Sequence, residues 1–484
     1  MLRDFLQGLI LNELGMPATQ DQALSAGTMA DFVLSEDAQA VLLLRGYAGT
    51  GKTSLVGAFV RTMDRLERPC LLLAPTGRAA KVFSQFAGRP AFTIHKCIYR
   101  QRSMEMDTDF SLNYNGRRQT LFIVDEASMV SDVGNSGAER ESLLEDLLRF
   151  VYAGQHGCRL VLVGDDAQLP PVGETVSPAL REEVLRSKGL NVMTAALTQV
   201  VRQQEESGIL FNATRLRALI GQGGEMAGLP RIRFEGFADV RVVPGDELIE
   251  TLASCYARDG IDDTRVVCRS NRRCVIYNNG IRVQILSREG TLCAGEEVMV
   301  AKNNYYWADR AVLEARANGD SGDEVPDFLA NGDMAVVDRV SNVRGLYGFQ
   351  FADCTLRLPD YDDVTIDCTV LLDTIFAEAP ALTREQQQLL YERVMEDYAD
   401  LATKRERLKA LRQDCYYNAV QIKYAYAITC HKAQGGQWSN LFIDQGYLTE
   451  DMLDVSYLRW LYTAITRATR RVFFVNWSPA QMGD

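Results

Sequence analysis

The run Gly46-Tyr-Ala-Gly-Thr-Gly-Lys52-Thr53 fits the spacing G-x-x-x-x-G-K-[ST], and residues of those types in that order can hold a triphosphate. Gly46, Gly49 and Gly51, with Thr50 among them and Ser54 just beyond, allow a curled backbone whose N–H groups face the phosphates. Lys52 reaches the terminal phosphates, Thr53 offers a hydroxyl to magnesium, and the helix that follows adds its positive end. Asp125 and Glu126, adjacent in LFIVDEAS, carry complementary chemistry. Asp125 can hold the magnesium shell, and Glu126 can accept a proton from an attacking water. Gln168, in VLVGDDAQLPPVG, offers an amide able to donate to a γ-phosphate oxygen or orient water without titrating. Arg467, in LYTAITRATR, lies far from the phosphate loop in sequence, as an arginine finger from a second domain would, and Arg202 in LTQVVRQ is its counterpart earlier in the chain. Either also reads as a surface arginine.

These groups need a sheet edge to converge on. The phosphate-loop run sits between an apolar stretch, AVLLLRG, and a helix-compatible one, KTSLVGAFVRTM. Strand-like runs CLLLAP, QTLFIVDEA, RLVLVGD, RVVCRSN, YAYAIT and NLFID alternate with amphipathic stretches, the rhythm of parallel α/β sheets. The rhythm breaks between about Asn303 and Asp414, where turns and short strands without crossover helices predict a small β-rich insertion. From Thr383 to Arg412 the chain lacks glycine and proline and is dense in charge, which predicts one or two exposed helices as a solvated arm in preference to a partner-binding one. The segment MLRDFLQGLILNELG reads as an amphipathic helix, since Asp4, Gln7 and Asn12 interrupt it where a signal peptide would be unbroken.

Composition sets broad limits. No apolar run approaches the roughly 20 residues that span a bilayer, so a soluble chain without membrane contact is expected. The 11 cysteines form no C-x-x-C pair and read as reduced core thiols of a cytoplasmic protein. A net charge of −12 argues against coating nucleic acid by bulk electrostatics, while leaving room for a local basic track in a cleft. Two of the 3 histidines precede a lysine in similar phrases, FTIHK and ITCHKAQG. Singly such a pair is more often a surface feature; two on separate α/β units would suit phosphate contacts to a polymer crossing both.

The ordered set GYAGTGKTS, LLLAPTGRAAK, FTIHK, IVDEAS, GDDAQLPPVG, LTQVVRQ, ITCHKAQG and LYTAITRA resembles the helicases of superfamily 1B, the RecD and Dda group, from Thr19 to Thr469. The resemblance implies two RecA-like parallel-sheet domains, residues 1–195 and 196–302 with 415–484, the second carrying a small SH3-like and helical insertion at 303–414. It implies ATP and Mg2+ as cofactors, and a DNA helicase that steps 5′ to 3′ along a single strand and opens duplex junctions in replication, recombination or repair. A single-strand translocase or partner-dependent motor subunit is the alternative, and RNA stays open as a substrate. Lys52, Glu126, Gln168, Arg202 and Arg467 match the family's catalytic positions, and Thr53 and Asp125 its metal positions. Pro75, Thr76, Arg78, Thr93, His95, Lys96, Thr429, His431 and Lys432 match strand-contacting motifs, with contacts expected to run mainly to phosphate and sugar. Gln22 falls where the family has an adenine-reading glutamine, though a solvated helix-start residue would look the same. Gln437 stands where many relatives carry an acidic or hydroxyl residue against the nucleotide sugar, which puts selectivity among triphosphates in doubt. Residues 97–119, with a turn-forming NYNG, lie where relatives carry a strand-separating pin hairpin.

Overall fold

The computed structural model describes residues 1–101, 110–134, 142–153, 157–200, 207–222, 229–322, 324–326, 328–449 and 452–483. By compactness the chain divides into Met1–Val242 with Ala433–Trp438 and Tyr447–Asp484, and Val243–Lys432 with Ser439–Gly446.

In the first unit, α1 (Leu2–Leu14) and α2 (Gln20–Leu34) lead into β1 (Ala40–Gly46), α3 (Lys52–Arg65), β2 (Cys70–Ala74), α4 (Gly77–Ala87), β3 (Ala91–Thr93) and α5 (Ile94–Ile98). A small hairpin, β4 (Tyr99–Gln101) and β5 (Phe110–Leu112), precedes β6 (Leu121–Val124), α6 (Leu143–Tyr152), β7 (Arg159–Gly164), α7 (Glu182–Ser187) and β8 (Asn191–Leu197). The strands form a parallel six-stranded sheet in the order β3-β2-β6-β7-β1-β8. Successive residues of a strand point to opposite faces. Accordingly Leu42 and Leu44 of β1 join a core with Phe32 and Phe59, while Val41 and Leu43 join another with Phe122 and Phe150. Helices cover both faces, which is why the strands read as continuous apolar runs instead of alternating ones. The expected N-terminal helix forms, burying Leu6, Ile10 and Leu14 at one-turn spacing.

The hairpin pairs Tyr99 with Leu112 and Gln101 with Phe110 in antiparallel fashion, and residues 102–109 lie outside the described residues. The NYNG phrase is not its tip. It forms the exit toward β6, where Asn115 is buried, donates to the Phe150 carbonyl at 3.0 Å and accepts from Arg117 N at 3.1 Å. After β8, α8 (Gly208–Gly221) leads to β9 (Ile232–Arg233) and β10 (Val240–Val243).

The second unit contains α9 (Leu248–Asp259), β11 (Thr264–Cys268), α10 (Asn271–Gln284), β12 (Glu297–Val300), α11 (Tyr306–Ala317), β13 (Met334–Leu346), β14 (Phe349–Leu358) and β15 (Val364–Leu371). It continues through α12 (Arg384–Asp397), α13 (Lys404–Arg412), β16 (Val420–Tyr424) and β17 (Ala427–Thr429). The short α14 (Cys430–Ala433) follows, then β18 (Trp438–Asp444). β11 lies between β17 and β18, all parallel. β12 to β16 close a small barrel. The class is therefore α/β, with two RecA-like parallel sheets and a β-rich, partly helical insertion.

Three sequence expectations change here. YAYAIT is not one strand: Tyr424 ends β16 in the barrel, Ala427 opens β17 in the parallel sheet, and both flanks are buried, so one alternating pattern serves two sheets. The insertion is not limited to short strands, since β13 runs 13 residues and β14 runs 10, and α11 was not foreseen. The charged arm is two helices, each opened by a capping box, at Thr383 with Gln386 and at Thr403 with Glu406. It is not a free arm: Leu390, Val394 and Leu411 pack on Phe349, Phe351 and Leu371 of the barrel.

Buried ion pairs mark the point where the barrel leaves the α/β layer. Arg282 of α10 donates to Glu296 at 2.6 Å, and both are almost wholly buried. Arg265 of β11 donates to Glu297 and to the Ala425 carbonyl, so one guanidinium ties the barrel's first strand to the chain leaving its last. Removing one partner of such a pair strands a charge. Arg282→Ala is expected to lose about 3–5 kcal/mol in denaturant unfolding, whereas Arg282→Met with Glu296→Leu stays within about 1–2 kcal/mol of the parent.

Candidate nucleotide site and strand-contact residues

β1 runs out of the sheet at Gly46, and the chain turns through Gly49 and Gly51, whose φ values of +76° and +78° exclude most side chains, into α3. A Cβ on Gly46 would lie 2.7 Å from Lys52 Cγ, so the lysine stem lies flat along the loop. Lys52 Nζ and Thr50 Oγ1 both donate to the Tyr47 carbonyl, at 3.0 and 2.8 Å. Thr53 and Ser54 occupy the first turn of α3, which has no side-chain cap. Its leading N–H groups are the ones an anion satisfies.

β6 and β7 deliver the acidic groups to the same edge. Asp125 N is fixed by the Leu73 carbonyl at 3.0 Å, and Glu126, with φ +50°, donates its N–H to Asp125 Oδ1 at 2.8 Å. A left-handed glutamate is a strained conformation that turns its side chain out of the strand direction. Burial and the neighbouring Glu126 push the Asp125 carboxyl up to about 6, against the pull of Lys52 and Arg467. Arg467 is buried and brings Nη1 to 3.4 Å from Glu126 Oε1. Gln168 is also buried, and its Oε1 has no hydrogen-bond partner among the described residues.

Arg467 follows α15 (Val455–Ile465) and stands just before β19 (Ala468–Val475), which precedes the terminal β20 (Met482–Gly483). One face of α15 grips the segment after β7. Arg459 Nη1 donates to the carbonyls of Asp166 and Gln168, and Leu169 N donates to Thr463 Oγ1 at 2.8 Å. Gln434 Nε2 donates to the Leu169 carbonyl at 2.8 Å. Tyr462 OH donates to Asp165 Oδ2 at 2.6 Å and accepts from Ala48 N at 3.0 Å. Asp165, Arg459, Tyr462 and Thr463 were not singled out from sequence. The available signals were the doubled acid in GDDAQ and the burial of every residue from Tyr457 to Ile465 that LRWLYTAI implies.

Gln22 is fully buried. Its Oε1 accepts from Thr19 N at 3.0 Å in a capping box and its Nε2 donates to the Thr50 carbonyl at 3.2 Å. It stands at the start of α2 but is not solvated as the alternative reading expected: it is turned inward as a tether on the phosphate loop. Gln437 is exposed and gives its backbone carbonyl to Arg78 at 3.2 Å, while the Arg78 guanidinium lies 4.4 Å over the Trp438 ring. Thr76 and Thr93 cap α4 and α5, accepting from Ala79 N and Lys96 N at 3.2 Å each. Pro75, Arg78, His95 and Lys96 are half-buried, Pro75 directly after β2 and His95 5.5 Å from the Tyr99 ring. These six lie in the first unit. Thr429, His431 and Lys432 lie in the second, where Lys432 donates to Asn331 Oδ1 at 2.5 Å and burial pushes its ammonium down to about 8 against the pull of Asp333. Arg202 lies outside the described residues.

Fold and site together define a phosphate-loop protein of the RecA-like kind. A family model described as an AAA domain matches residues 26–218, and one described as a UvrD-like helicase C-terminal domain matches residues 424–475. The chain is 24% identical over 447 residues to the ATP-dependent RecD2 DNA helicase of Deinococcus radiodurans, covering 90% of this chain and 46% of that one. It is 22% identical over 525 residues to DNA helicase B of Mus musculus, covering 95% and 44%. The crystal structure of Pif1 helicase from Bacteroides in complex with ADP-AlF3 and ssDNA aligns with a TM-score of 0.49 at 15% identity, covering 96% of this chain and 94% of that one. The chain thus spans less than half the length of these two sequence relatives. The two family models and these sequence relatives support a likeness to the RecD/Pif1-like helicases of superfamily 1B.

Because Gln22 completes the capping box of Thr19 and holds Thr50, Gln22→Ala leaves the Thr19 N–H without its side-chain acceptor at about 0.5–1 kcal/mol and a buried carbonyl unpaired at about 1–3 kcal/mol. A fall of roughly 2–3 kcal/mol in urea unfolding is expected; a change under about 0.5 kcal/mol would show that the tether carries no load.

Proposed function

We propose that this chain is an ATP- and magnesium-dependent DNA helicase that moves 5′ to 3′ on a single strand and separates duplex. The observation that carries the reading is the 3.4 Å approach of Arg467 to Glu126, beside Asp125 and within the electrostatic reach of Lys52. A lysine, two carboxylates, a buried neutral amide and an arginine at one sheet edge are the parts phosphoryl transfer to water requires. Glu126 takes the proton of the attacking water, Gln168 orients that water, and Arg467 and Lys52 meet the charge developing on the phosphoryl oxygens. The hydroxyl of Thr53 and the carboxylate of Asp125 are hard oxygen donors suited to Mg2+, which commonly takes few protein ligands and keeps waters and phosphates for the rest. When bound, the ion neutralises phosphate charge. Arg202 would act as a second arginine.

The domain division we propose is 1–195 and 196–302 with 415–484, with 303–414 inserted. Pro75, Thr76, Arg78, Thr93, His95 and Lys96 of the first unit, and Thr429, His431 and Lys432 of the second, would contact the strand mainly at phosphate and sugar. The short pairing of β4 with β5, three residues each, supports a second reading, a single-strand translocase or partner-dependent motor subunit without unwinding of its own.

Arg467→Ala is expected to leave ATP binding largely intact while lowering turnover by about a thousandfold or more, the usual weight of an arginine finger. Lost binding with unchanged turnover per bound ATP would make it a structural arginine. The direction is tested by unwinding of matched duplexes bearing a 5′ or a 3′ single-stranded tail. Lys52→Ala serves as control and should lose on the order of a hundredfold or more in ATPase. Opening of the 5′-tailed duplex alone is expected. Opening from the 3′ tail alone would reverse the polarity, and strand-stimulated ATPase without opening would favour the translocase.

A further inference from the structure

The phosphate loop contains two residues in the left-handed region, Gly49 and Gly51, and a chain with that much backbone freedom needs an anchor to present its N–H groups in one arrangement. One anchor comes from a helix 414 residues away. Ala48 N donates to Tyr462 OH at 3.0 Å. Since Ala48 N–H can only donate, the phenol oxygen accepts there and must send its own proton elsewhere. It goes to Asp165 Oδ2 at 2.6 Å. Asp165 is buried, and its other oxygen accepts from Ala167 N at 3.0 Å. The polarity of this chain of hydrogen bonds is therefore fixed from end to end.

The three things it joins are the loop, the strand and the helix that carry the candidate site. Ala48 belongs to the phosphate loop. Asp165 directly follows β7, the strand that leads to Gln168 and is here called the sensor strand, and its carbonyl accepts from Gln168 N at 3.3 Å. Tyr462 lies on α15, which ends two residues before Arg467, and Arg459 and Thr463 of the same helix hold the segment after β7 at Asp166, Gln168 and Leu169. A rotation or slide of α15 cannot move Arg467 without moving the hydroxyl that holds the loop.

We propose that Tyr462 is a positioning residue, whose hydroxyl clasps the phosphate loop to the sensor strand so that loop and arginine finger take up their working positions together. This rests on the ATP-hydrolysing reading above. Tyr462 touches no reacting atom. It acts through Ala48 and Asp165.

Tyr462→Phe removes the hydroxyl and keeps the ring in its buried seat, and the full chain carrying it can be compared with the parent for strand-stimulated ATPase. Turnover is expected to fall about tenfold or more, with KM for ATP within about threefold, as for a small misplacement of reacting groups. Tm should fall by no more than about 2–4 °C, the loss of roughly one buried hydrogen bond. A tyrosine that serves only as core packing would leave turnover unchanged. The double variant Y462F/D165N separates the clasp from charge compensation, since it removes the carboxylate that Y462F leaves without its donor. If the clasp on Ala48 matters, the double variant stays as slow as Y462F. Parental turnover in Y462F, or recovery of turnover in the double variant, would overturn the proposal. A parent chain with no strand-stimulated turnover would overturn the functional reading, and this one with it, whereas an active parent with an equally active Y462F would overturn the clasp alone.

Discussion

Three strands, β6, β7 and β1, lie side by side in parallel register, with Val124 opposite Leu162 and Leu44 opposite Val163. That register puts Asp125 and Asp165, which follow β6 and β7, and Gly46, which ends β1, at one edge. A slip of a single residue would move one group by about 3.3 Å relative to its neighbours, more than the whole length of a hydrogen bond. Apolar burial does not prevent the slip, because both faces of these strands are buried and AVLLLRG is nearly as apolar one residue along. Something that does not repeat must fix it. Arg159, the first residue of β7, is buried and donates to the carbonyls of Phe32, Val33 and Ser35 at the end of α2, and Tyr152 OH donates to the Ala40 carbonyl at the start of β1. These bonds have one partner each and no second-best. The same α2 holds the phosphate loop through Gln22 at its other end, so the helix measures off the distance from the base of β7 to the loop.

The charge arrangement at that edge follows from its shape. Asp125 and Asp165 are both buried, and burial raises the cost of their negative charge. Lys52 and Arg467 relieve it, as the downward pull of both on Asp125 shows. Arg467 meets Glu126 through one nitrogen at 3.4 Å and its Nε has no partner among the described residues, so most of its five N–H donors are not committed to the carboxylate. A guanidinium held loosely by one acid retains the capacity to meet an anion, which a bidentate pair would have used up.

The candidate nucleotide site stood out in the sequence where its proposed chemistry is local. Gly46 to Thr53, Asp125 with Glu126, and Gln168 are each a few consecutive residues whose spacing and flanking strand announce their task. What was not legible is the set of contacts that closes over hundreds of residues. Tyr462 and Arg459 do not stand out in the sequence, and their part is visible only where the Tyr462 hydroxyl meets Ala48 and the Arg459 guanidinium meets the Asp166 and Gln168 carbonyls. Gln22 illustrates a subtler limit, because the capping pattern of Thr19 and Gln22 is visible in sequence while the inward turn of the amide onto Thr50 is not. The break in YAYAIT was hidden for the opposite reason. Its alternation is satisfied equally by a barrel and by a parallel sheet.

That break also shows how an insertion can be firmly held. Joining a barrel to a sheet through two points of the chain costs little in closure entropy, and two flexible linkers would leave it free to swing. Here no linker intervenes on the return side, since only Ala425 and Tyr426 separate β16 from β17. Ala425 N donates to the Glu297 carbonyl, Tyr426 OH accepts from Glu297 N at 3.3 Å, and Val266 N reaches the Tyr426 carbonyl at 3.1 Å. Entry strand, exit strand and β11 therefore share hydrogen bonds at one point, and Arg265 and Arg282 neutralise Glu297 and Glu296 at that same point. Charges that are paired and out of water tolerate little displacement, because separating them exposes each to an uncompensated burial cost. Displacing the barrel from β11 or α10 would therefore break both ion pairs and the shared backbone hydrogen bonds at once.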